Sequence, residues 1–321
     1  MMTRAECARW LASRDGFLIL THGRPDGDTV GCSAALCLAL RKLGKSAFVL
    51  ENEEMIDKYA PLHENLTQKE PKPGDILVSV DVSAPHLLPP AALPLAEKIQ
   101  LRIDHHYTST SFAPNELVDS AAAACTEIIY DVICELGVAL DEPIARALYT
   151  GTATDSGCFR YSSTSAHTHL VAAACMEAGL DAAPINLKLF DTVSLNSLRM
   201  QAWAIENTRF LLDGRVALCP MPKDTKEKLG IPEEEGGNLS GFLRSIEGVC
   251  MAATVRETDE GVTMISMRSL PGFDSSAVCA LFGGGGHKAA AGGHKEAPYL
   301  EVADEVGRAM CAAVEQAWTA S

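Results

Sequence analysis

The length, composition and charge of the chain already narrow its function. It has 321 residues, of which 47% are hydrophobic and 21% charged, the balance of an ordinary globular protein large enough for two domains. The formal net charge of −15 argues against tight binding of long duplex DNA or RNA, which requires many lysine and arginine contacts to phosphate. Any nucleic-acid partner should therefore be short.

Nothing in the sequence is typical of a membrane or secreted protein. No segment has the roughly 20 uninterrupted apolar residues that a spanning helix needs, and the start, MMTRAECARWLASRDG, lacks the apolar core of a signal peptide. The eleven cysteines form no CxxC pair and lie mostly in apolar segments, where cysteine acts as a small buried hydrophobe. We expect a cytosolic protein with no membrane partner, no disulfide framework and no zinc cluster.

Short apolar runs alternate with helical patterns in the first half of the chain. This alternation is typical of an α/β domain with a parallel sheet and helices on both faces. The predicted strands are 17–20 (FLIL), 46–50, 75–80 and 100–103, and the predicted helices are 30–44, 121–137 and 142–151.

A mainly helical segment, 187–210, separates this half from a region of different character. Beyond it we predict a mixed α+β domain with an acidic loop, EEEGG, and a turn, ETDEG. Its predicted elements are strands at 215–220, 249–257 and 262–269, a short helix at 274–282, the glycine-rich segment 283–293 and a C-terminal helix. The predicted organisation is a catalytic domain at 1–185, a helical linker at 186–209 and a smaller substrate-binding domain at 210–321.

Acidic residues and histidines follow the predicted elements of the first half. Because ligands bind outside the carboxyl ends of parallel strands, at least three of these four clusters can converge on one crevice. The last of them, GTATDSG, begins just after Tyr149, at the end of the helix predicted at 142–151. The candidates are His22, Asp26, Asp28, Asp81, Asp104, His105, His106 and Asp155.

So many carboxylates within a few ångströms cannot all stay ionised without compensating positive charge. Divalent cations would supply that charge, and a mixed imidazole and carboxylate set suits manganese, iron or zinc better than calcium or magnesium. Two ions bridged by a shared carboxylate, about 3.5 to 4 Å apart, would create hydroxide near neutral pH and stabilise an in-line displacement at phosphorus. The residues alone thus predict cleavage of a phosphoester.

Each cluster also has a simpler explanation when taken alone. Asp and Gly commonly form turns after strands, and Asp81 is equally typical of a helix cap. His105 and His106 cannot both face a core from one strand, because neighbouring side chains point to opposite faces, so a loop site is favoured. The joint occurrence of all four clusters in this order is what favours catalysis.

The four clusters resemble, in order, the signatures of the DHH phosphoesterase superfamily: THGRPDGD, VSVDVS, RIDHHYT and TATDSG. The segment FGGGGHKAAAGG, preceded by a strand that carries Arg268, resembles the nucleotide-holding motif of the DHHA1 domain. At this length the combination is most similar to the nanoRNases, also described as bifunctional oligoribonuclease and PAP phosphatase proteins. Ser156 stands where many relatives have threonine, and it keeps the hydroxyl.

The resemblance implies two metal ions, with manganese expected, and a role for each candidate ligand. His106 would contact the scissile phosphate, and Asp104 would orient the histidines, as metal-bound imidazoles generally require. The first ion would be held by His22, Asp26 and Asp81, and the second by Asp28, Asp81, His105 and Asp155, with Asp81 bridging.

Substrate binding is expected in the second domain. Arg268 suits bidentate contact with a phosphate, although it could be a surface residue. The glycines would let backbone N–H groups approach a phosphate closely, although they could form only a flexible loop. Arg160 is a further candidate in the first domain. The full set is Arg160, Arg268, Gly284, Gly285, Gly286, His287 and Lys288.

The activity implied by the resemblance is hydrolysis of RNA of about two to five residues to mononucleotides, and of 3′-phosphoadenosine 5′-phosphate to AMP. The partners would be short RNA or small nucleotides, and the oligomeric state, a homodimer included, stays open. One alternative is a standalone phosphodiesterase for cyclic dinucleotides or linear pApA. An inorganic pyrophosphatase would share only the first half. From a different class, a nucleotide sensor without catalysis is disfavoured by the complete ligand set.

Overall fold

The chain divides into two units, Met1–Thr192 and Val193–Ser321. The computed structural model describes residues 1–107, 110–233, 235–258 and 261–319. The predicted turn ETDEG and the predicted loop EEEGG include Asp259, Glu260 and Glu234, which lie outside these described residues. The division falls within the segment predicted as a linker, and the predicted domain limits remain predictions.

A six-stranded sheet forms the centre of the first unit. Its strands are β1 (Phe17–Leu20), β2 (Ala47–Leu50), β3 (Thr67–Gln68), β4 (Ile76–Val80), β5 (Leu101–Asp104) and β6 (Asn115–Val118). They are all parallel, in the order β3-β2-β1-β4-β5-β6. Strands β2 and β3 lie on one side of β1, and β4, β5 and β6 lie on the other. The direction of the strand order therefore changes between β1 and β4, and the carboxyl ends of these two strands lie at that point.

Helices cover both faces of this sheet, because its strands are apolar on both sides. Phe17 and Ile19 face a core that includes residues of the long helices, whereas Leu18 and Leu20 face a second core closed by 3₁₀ segments. The helices are α1 (Arg4–Ala12), α2 (Gly27–Lys42), α3 (Cys125–Glu135), α4 (Glu142–Asp155), α5 (Ala166–Glu177) and α6 (Ala183–Asn186), with 3₁₀ segments at Ala60–His63, Pro85–Leu87 and Leu93–Lys98 and a π-helical segment at Leu187–Asp191.

The predicted end of α4 was wrong. The helix predicted at 142–151 continues to Asp155, so Asp155 lies at the end of α4 and not in a loop after it. Gly151 and the threonines around it have modest helix propensity, but this stretch is buried. Tertiary packing therefore extends the helix, and Ser156 closes it by donating from Oγ to the carbonyl of Thr152 at 2.6 Å.

A mixed sheet forms the centre of the second unit, in the order β11-β12-β10-β9-β8-β7. Strands β8 and β9 are parallel, and the other pairs are antiparallel. In chain order the elements are α7 (Leu195–Asn207), β7 (Arg209–Leu211), β8 (Val216–Met221), α8 (Thr225–Leu229), α9 (Leu239–Arg244), β9 (Met251–Glu257), β10 (Thr263–Ser269), α10 (Ser275–Ala280), β11 (Gly285–His287), β12 (Ala290–Lys295) and α11 (Tyr299–Thr319).

The two faces of this second sheet differ in what covers them. On one face, Val255, Ile265 and Met267 pack in a core with α10 and α11. On the other, α7 and α9 cover β8 and Ala252, and the half formed by β10, β12 and β11 stays partly exposed. Burial alternates along β10, as expected for a strand with one solvated face: Ile265 and Met267 are buried, whereas Ser266 and Arg268 are partly exposed.

The predicted class, an α/β unit with a parallel sheet followed by a smaller mixed α+β unit, is confirmed. Among the described helices, none combines the length and apolar character needed to cross a bilayer. All eleven cysteines are free thiols, and eight of them are buried.

Candidate metal centre and substrate-binding face

The candidate residues of the first unit gather at the carboxyl ends of three adjacent strands. His22 lies two residues beyond β1, Asp81 follows β4 directly, and Asp104 is the last residue of β5, with His105 next. Strands β1, β4 and β5 are neighbours in the sheet. Their ends meet where open α/β sheets usually bind ligands.

Helix α2 supplies two further carboxylates from its first turn. Asp26 is the N-cap, and its Oδ1 accepts from the backbone N–H groups of Asp28 (3.0 Å) and Thr29 (3.1 Å). Asp28 is fully buried. It accepts from the N–H of Cys125 (2.6 Å), the N–H of Thr126 (3.0 Å) and the hydroxyl of Thr126 (2.8 Å). Asp28 therefore caps α3 from outside, where a carboxylate is favoured by the helix dipole.

Three glycines let α2 and α4 pack closely and bring Asp28 near Asp155. A Cβ at Gly27 would lie 2.4 Å from Thr154 Oγ1, and one at Gly31 would lie 2.4 Å from the carbonyl oxygen of Ala147. A Cβ at Gly151 would lie 2.4 Å from Thr126 Cγ2 and 2.8 Å from Asp28 Oδ1. No side chain fits at these positions without displacing the site.

His105 lies at the centre of one group of carboxylates. Its Nε2 is 3.3 Å from Asp155 Oδ2, 3.5 Å from Asp81 Oδ1 and 3.7 Å from Asp28 Oδ2. Its Nδ1 is 3.2 Å from the carbonyl oxygen of Ala122, a contact that fixes the ring. Nε2 therefore points at three carboxylates at once.

His22 lies in a second group that shares one member with the first. Its Nε2 is 3.7 Å from Asp26 Oδ1 and 3.7 Å from Asp81 Oδ2. The two oxygens of Asp81 thus face different histidines, Oδ1 facing His105 and Oδ2 facing His22. Asp81 lies between the two groups.

The spacing and the chemistry of these donors fit divalent cations. Ligands that each lie about 2.0–2.2 Å from one ion are roughly 3 to 3.5 Å apart, close to the separations of 3.3–3.7 Å found here. Asp81 Oδ1 is buried and accepts no hydrogen bond from any described residue. Three sets of side chains could hold an ion: His22, Asp26 and Asp81; Asp28, His105 and Asp155; and Asp81, His105 and His106.

The pKa values of the buried carboxyl groups also indicate a cation site. Burial, and then the neighbouring carboxylates, Asp28 first among them, raise the pKa of Asp81 well above its ordinary value. Burial and the charges of Asp28 and Asp26 raise the pKa of Asp155 in the same direction. A nearby cation favours the ionised form of a carboxyl group and opposes such shifts. The site is therefore suited to bind positive charge.

The backbone at Asp81 is held in an uncommon conformation. Its φ is +57°, a left-handed region that residues other than glycine seldom adopt. The N–H of Asp81 donates to the carbonyl of Ile103 at 2.9 Å, which holds this turn against β5. Asp81 caps no helix in the described part of the chain, so the helix-cap explanation was wrong.

A chain of contacts from Asp104 to Arg102 fixes His106, and Arg102 was not among the predicted site residues. Asp104 Oδ1 lies 2.7 Å from Nδ1 of His106, and its other oxygen pairs with Arg102. Arg102 is buried and also donates to the carbonyls of Val82 and Thr110, each at 3.0 Å. The hydrogen bond that His106 donates to the Asp104 carboxylate raises the pKa of His106. Arg102 thus anchors both Asp104 and the segments on either side of it.

Similarity to known proteins covers most of the chain. Residues 16–152 match the DHH family, N-terminal domain. The bifunctional oligoribonuclease and PAP phosphatase NrnA of Thermus thermophilus is 31% identical over 277 residues, which are 85% of this chain and 82% of the relative. The chain therefore belongs to the DHH/DHHA1 phosphoesterase family.

Two solved structures share this DHH fold. An exopolyphosphatase-related protein from Bacteroides fragilis matches with a TM-score of 0.81 and 24% identity, over 98% of this chain and 95% of that one. The exonuclease RecJ bound to manganese matches with a TM-score of 0.50 and 16% identity, over 97% of this chain and 95% of that one. At these identities both likenesses show the fold alone.

Asn52, two residues beyond β2, contacts the loop that carries His22 and was not predicted from the sequence. Its side-chain amide donates to the carbonyl of His22 (2.9 Å) and lies 3.1 Å from Thr21 Oγ1. Asn52 therefore holds the loop that carries His22. Asn52 follows a predicted strand just as Asp81 does, and this position in the sequence could have identified it as a candidate.

Arg268 lies on the partly exposed face of the DHHA1-type sheet. It pairs across β10 and β12 with Ala290, which pairs in turn with His287 on β11. Residues directly opposite on neighbouring strands share a face, so Arg268 and His287 lie on the same side with a small alanine between them. The structure thus aligns these two candidates in one row.

The glycine run differs from the predicted loop. Gly285, Gly286 and His287 form β11, so the flexible-loop explanation was wrong. A Cβ at Gly284 would lie 2.0 Å from the carbonyl oxygen of Gly292, and one at Gly286 would lie 2.7 Å from that of Ala290. Both glycines are required by close strand pairing. Gly285 alone has open space around its Cα and faces the side that carries Arg268.

The other two candidates, Lys288 and Arg160, are both exposed. Lys288 is exposed just after β11, and its carbonyl accepts from Ser275 N–H and Ser269 Oγ. Arg160 is exposed, and its Nε donates to the carbonyl of Gly157 at 2.7 Å.

Proposed function

We propose that this DHH/DHHA1 phosphoesterase uses two divalent cations to hydrolyse short oligoribonucleotides to mononucleotides and 3′-phosphoadenosine 5′-phosphate to AMP. One observation carries the proposal: the two oxygens of Asp81 face His105 and His22 at 3.5 and 3.7 Å. A buried carboxylate between two donor groups suits a bridge between two ions.

The ligand roles follow from this arrangement. His22, Asp26 and Asp81 would hold one ion, and Asp28, Asp81, His105 and Asp155 would hold the other. When bound, such a pair supplies Lewis acidity and lowers the pKa of a coordinated water, so that a nucleophile is available near neutral pH. Manganese is proposed because imidazole and carboxylate ligands suit it, and because the fold neighbour RecJ is described as bound to manganese.

His106 is proposed to contact the scissile phosphate. Its Nδ1 is engaged by Asp104 at 2.7 Å, which leaves Nε2 for substrate. Because the hydrogen bond to Asp104 raises the pKa of His106, the imidazolium form persists to higher pH and can donate to a phosphate oxygen that gains charge. Asp104 and Arg102 act as positioning residues behind it.

The second unit is proposed to bind the nucleotide through Arg268, His287 and the backbone at Gly285. A guanidinium suits the bidentate geometry of a phosphate, and a position without a side chain permits close approach of a ligand. The name of the Thermus relative supports short RNA and PAP as substrates. The net charge of −15 favours short substrates over long strands.

A substrate panel tests the proposal. Hydrolysis of pApA, a three-residue RNA, a longer RNA, PAP and a cyclic dinucleotide would be measured with manganese and after its removal by a chelator. We expect turnover of pApA, the three-residue RNA and PAP with manganese only, and little turnover of the longer RNA. Asp81→Ala should lose at least about a thousandfold in rate, since it removes a ligand of both ions and electrostatic stabilisation at such sites is of that order.

Asp191→Ala, an exposed aspartate outside the ligand sets, is the matched control and should retain activity. Binding of pApA without turnover in manganese would contradict the proposal and favour a nucleotide sensor. Preference for the cyclic dinucleotide over short RNA would favour the standalone phosphodiesterase.

A further inference from the structure

A cavity of about 660 Å³ opens on the same sheet face as Arg268, entirely within the second unit. Ligand-binding pockets are commonly about 300–1,000 Å³. Three basic side chains, Lys226, Arg256 and Arg268, line the cavity with two acidic ones, Glu233 and Glu235. Glu235 is already held by Ser194 and Asn196, so the basic side chains are in excess. In a chain with a net charge of −15, such a grouping points to an anionic ligand.

A carboxylate already lies between two of these cations. Glu233 Oε1 is 2.8 Å from Arg256 Nη1 and 3.5 Å from Lys226 Nζ. The side chain of Glu233 is 69% exposed, whereas that of Lys226 is 15% exposed. Exposed ion pairs contribute little to stability, so a phosphate, with more charge and more acceptor oxygens, can displace the Glu233 carboxylate.

The loop beside this pair is shaped to leave the cavity open. Gly236 has a φ of +132°, and a Cβ there would lie 3.3 Å from Lys226 Cε. Gly237 has a φ of +72°, and a Cβ there would lie 2.7 Å from Ser197 Oγ. Glycines at both positions therefore let the backbone turn beside Lys226.

The rest of the lining suits a nucleoside. Met264 pairs with Arg256 across β9 and β10, and Ser266 pairs with Thr254. Arg268 lies four residues from Met264 along β10, about 13 Å at the usual rise per residue. Arg256 and Arg268 therefore lie at opposite ends of the cavity, with Met264 and the hydroxyl groups of Thr254 and Ser266 between them. Hydroxyl groups can hydrogen-bond to a ribose, and a thioether makes favourable contacts with an aromatic ring.

We propose that this cavity binds a nucleoside monophosphate unit, with its phosphate on Lys226 and Arg256 in place of Glu233. The unit is either a second nucleotide of the oligonucleotide substrate or a free mononucleotide, and the former rests on the proposed function. Glu233 then acts as a placeholder that lowers the affinity for the phosphate.

Kinetics on the manganese-loaded full chain tests this site. Arg256→Gln and Lys226→Gln should each raise the KM for pApA about tenfold and leave kcat unchanged. Glu233→Gln should lower that KM. All three should hydrolyse bis(p-nitrophenyl) phosphate, a diester without a nucleoside, at the wild-type rate. Arg308→Gln, an exposed arginine on α11, is the matched control.

A binding measurement that does not depend on catalysis distinguishes a free mononucleotide from a nucleotide of the oligonucleotide substrate. Calorimetric titration of AMP into the chelator-treated protein should show binding that is weaker in Arg256→Gln and tighter in Glu233→Gln if free mononucleotides use the cavity. Altered pApA kinetics with no AMP binding assigns the cavity to the oligonucleotide alone.

The inference is overturned if neither the KM for pApA nor AMP binding changes in these variants, or if they lose activity equally on pApA and the simple diester. Failure of the proposed function would look different, because the wild type would then hydrolyse neither substrate. Thermal melts of each variant identify any that fail to fold, and Glu233→Gln still tests the site through gained affinity.

Discussion

The carboxylate of Asp28 accepts a 2.6 Å hydrogen bond from the backbone N–H of Cys125, the first residue of α3. The residue before it, Ala124, offers no side-chain cap of its own. Asp28, a proposed metal ligand on α2, thereby accepts a hydrogen bond from a free N–H group at the start of a helix 97 residues later in the chain. The same carboxylate therefore serves both the capping of α3 and the candidate metal site.

Thr126 should matter to metal binding although it is not a candidate ligand. Its hydroxyl donates to Asp28 Oδ1 at 2.8 Å and lies 3.1 Å from Thr152 Oγ1. Partners that orient metal ligands typically contribute about 10- to 100-fold in affinity, so Thr126→Val should weaken manganese binding at least about tenfold in calorimetry. Thr150→Val removes a hydroxyl bonded only to the carbonyl of Arg146 among the described partners, and should bind manganese normally. Equal affinities in the two variants would contradict this role.

Gly151 should tolerate no side chain. Gly151→Ala places a Cβ 2.4 Å from Thr126 Cγ2, and overpacking of this kind costs about 1–3 kcal/mol. The free energy of unfolding in urea should fall by that amount, with weaker manganese binding because Asp28 must move. In the control Gly307→Ala, the Cβ meets only the ends of Leu211 and Leu218 at 3.1 Å. That variant should be neutral or more stable, and the account fails if Gly151→Ala is equally well tolerated.

Arg102 should be required for stability as well as for the orientation of His106. Burial alone would raise the pKa of Asp104, but His106 and Arg102 outweigh it and hold that pKa below its ordinary value. Arg102→Met leaves a buried carboxylate without its cation, a change that costs about 3–5 kcal/mol. Urea unfolding measures the loss. Arg146→Met removes an exposed pair with Glu142 and should change stability by less than about 1 kcal/mol; similar losses in both variants would refute the role of Arg102.

Stability should depend on pH through His63, which is distant from the candidate ligands in sequence. Burial lowers its pKa from 6.5 to about 4, and its Nε2 lies 2.8 Å from Ser33 Oγ. Below pH 6.5 the unfolded chain takes up a proton that the folded chain does not, so stability falls as the pH drops toward 4. Between pH 7 and pH 5 the wild type should lose about 2 kcal/mol more than His63→Gln in urea unfolding. Parallel losses in the two proteins would show that His63 is not the responsible group.

Much of the first unit could be predicted because apolar runs identify buried parallel strands. Strand β1 was predicted at its observed limits, and β4 and β5 within one residue. The short edge strands β3 and β6 were missed, because Asn115–Val118 carries no apolar run. The convergence of His22, Asp81 and His105 followed from their places after strands.

The parts that could not be predicted depend on contacts between distant segments. Nothing local in the sequence shows that Asp28 caps α3, or that Gly151 must lie against Thr126. The glycine run could equally have been a loop, and only its pairing with β12 makes it a strand. Arg102 could have been noticed, since a basic residue within LRID needs a buried partner and Asp104 is two residues away on the same strand face.

Electron paramagnetic resonance of the manganese-loaded protein, with metal content measured on the same sample, tests the shared role of Asp81 most directly. The account predicts two manganese ions per chain with an exchange-coupled spectrum, because ions joined by one carboxylate lie about 3.5–4 Å apart. It also predicts that Asp81→Asn abolishes the coupling. One ion per chain, or two ions with independent spectra in the wild type, would contradict it.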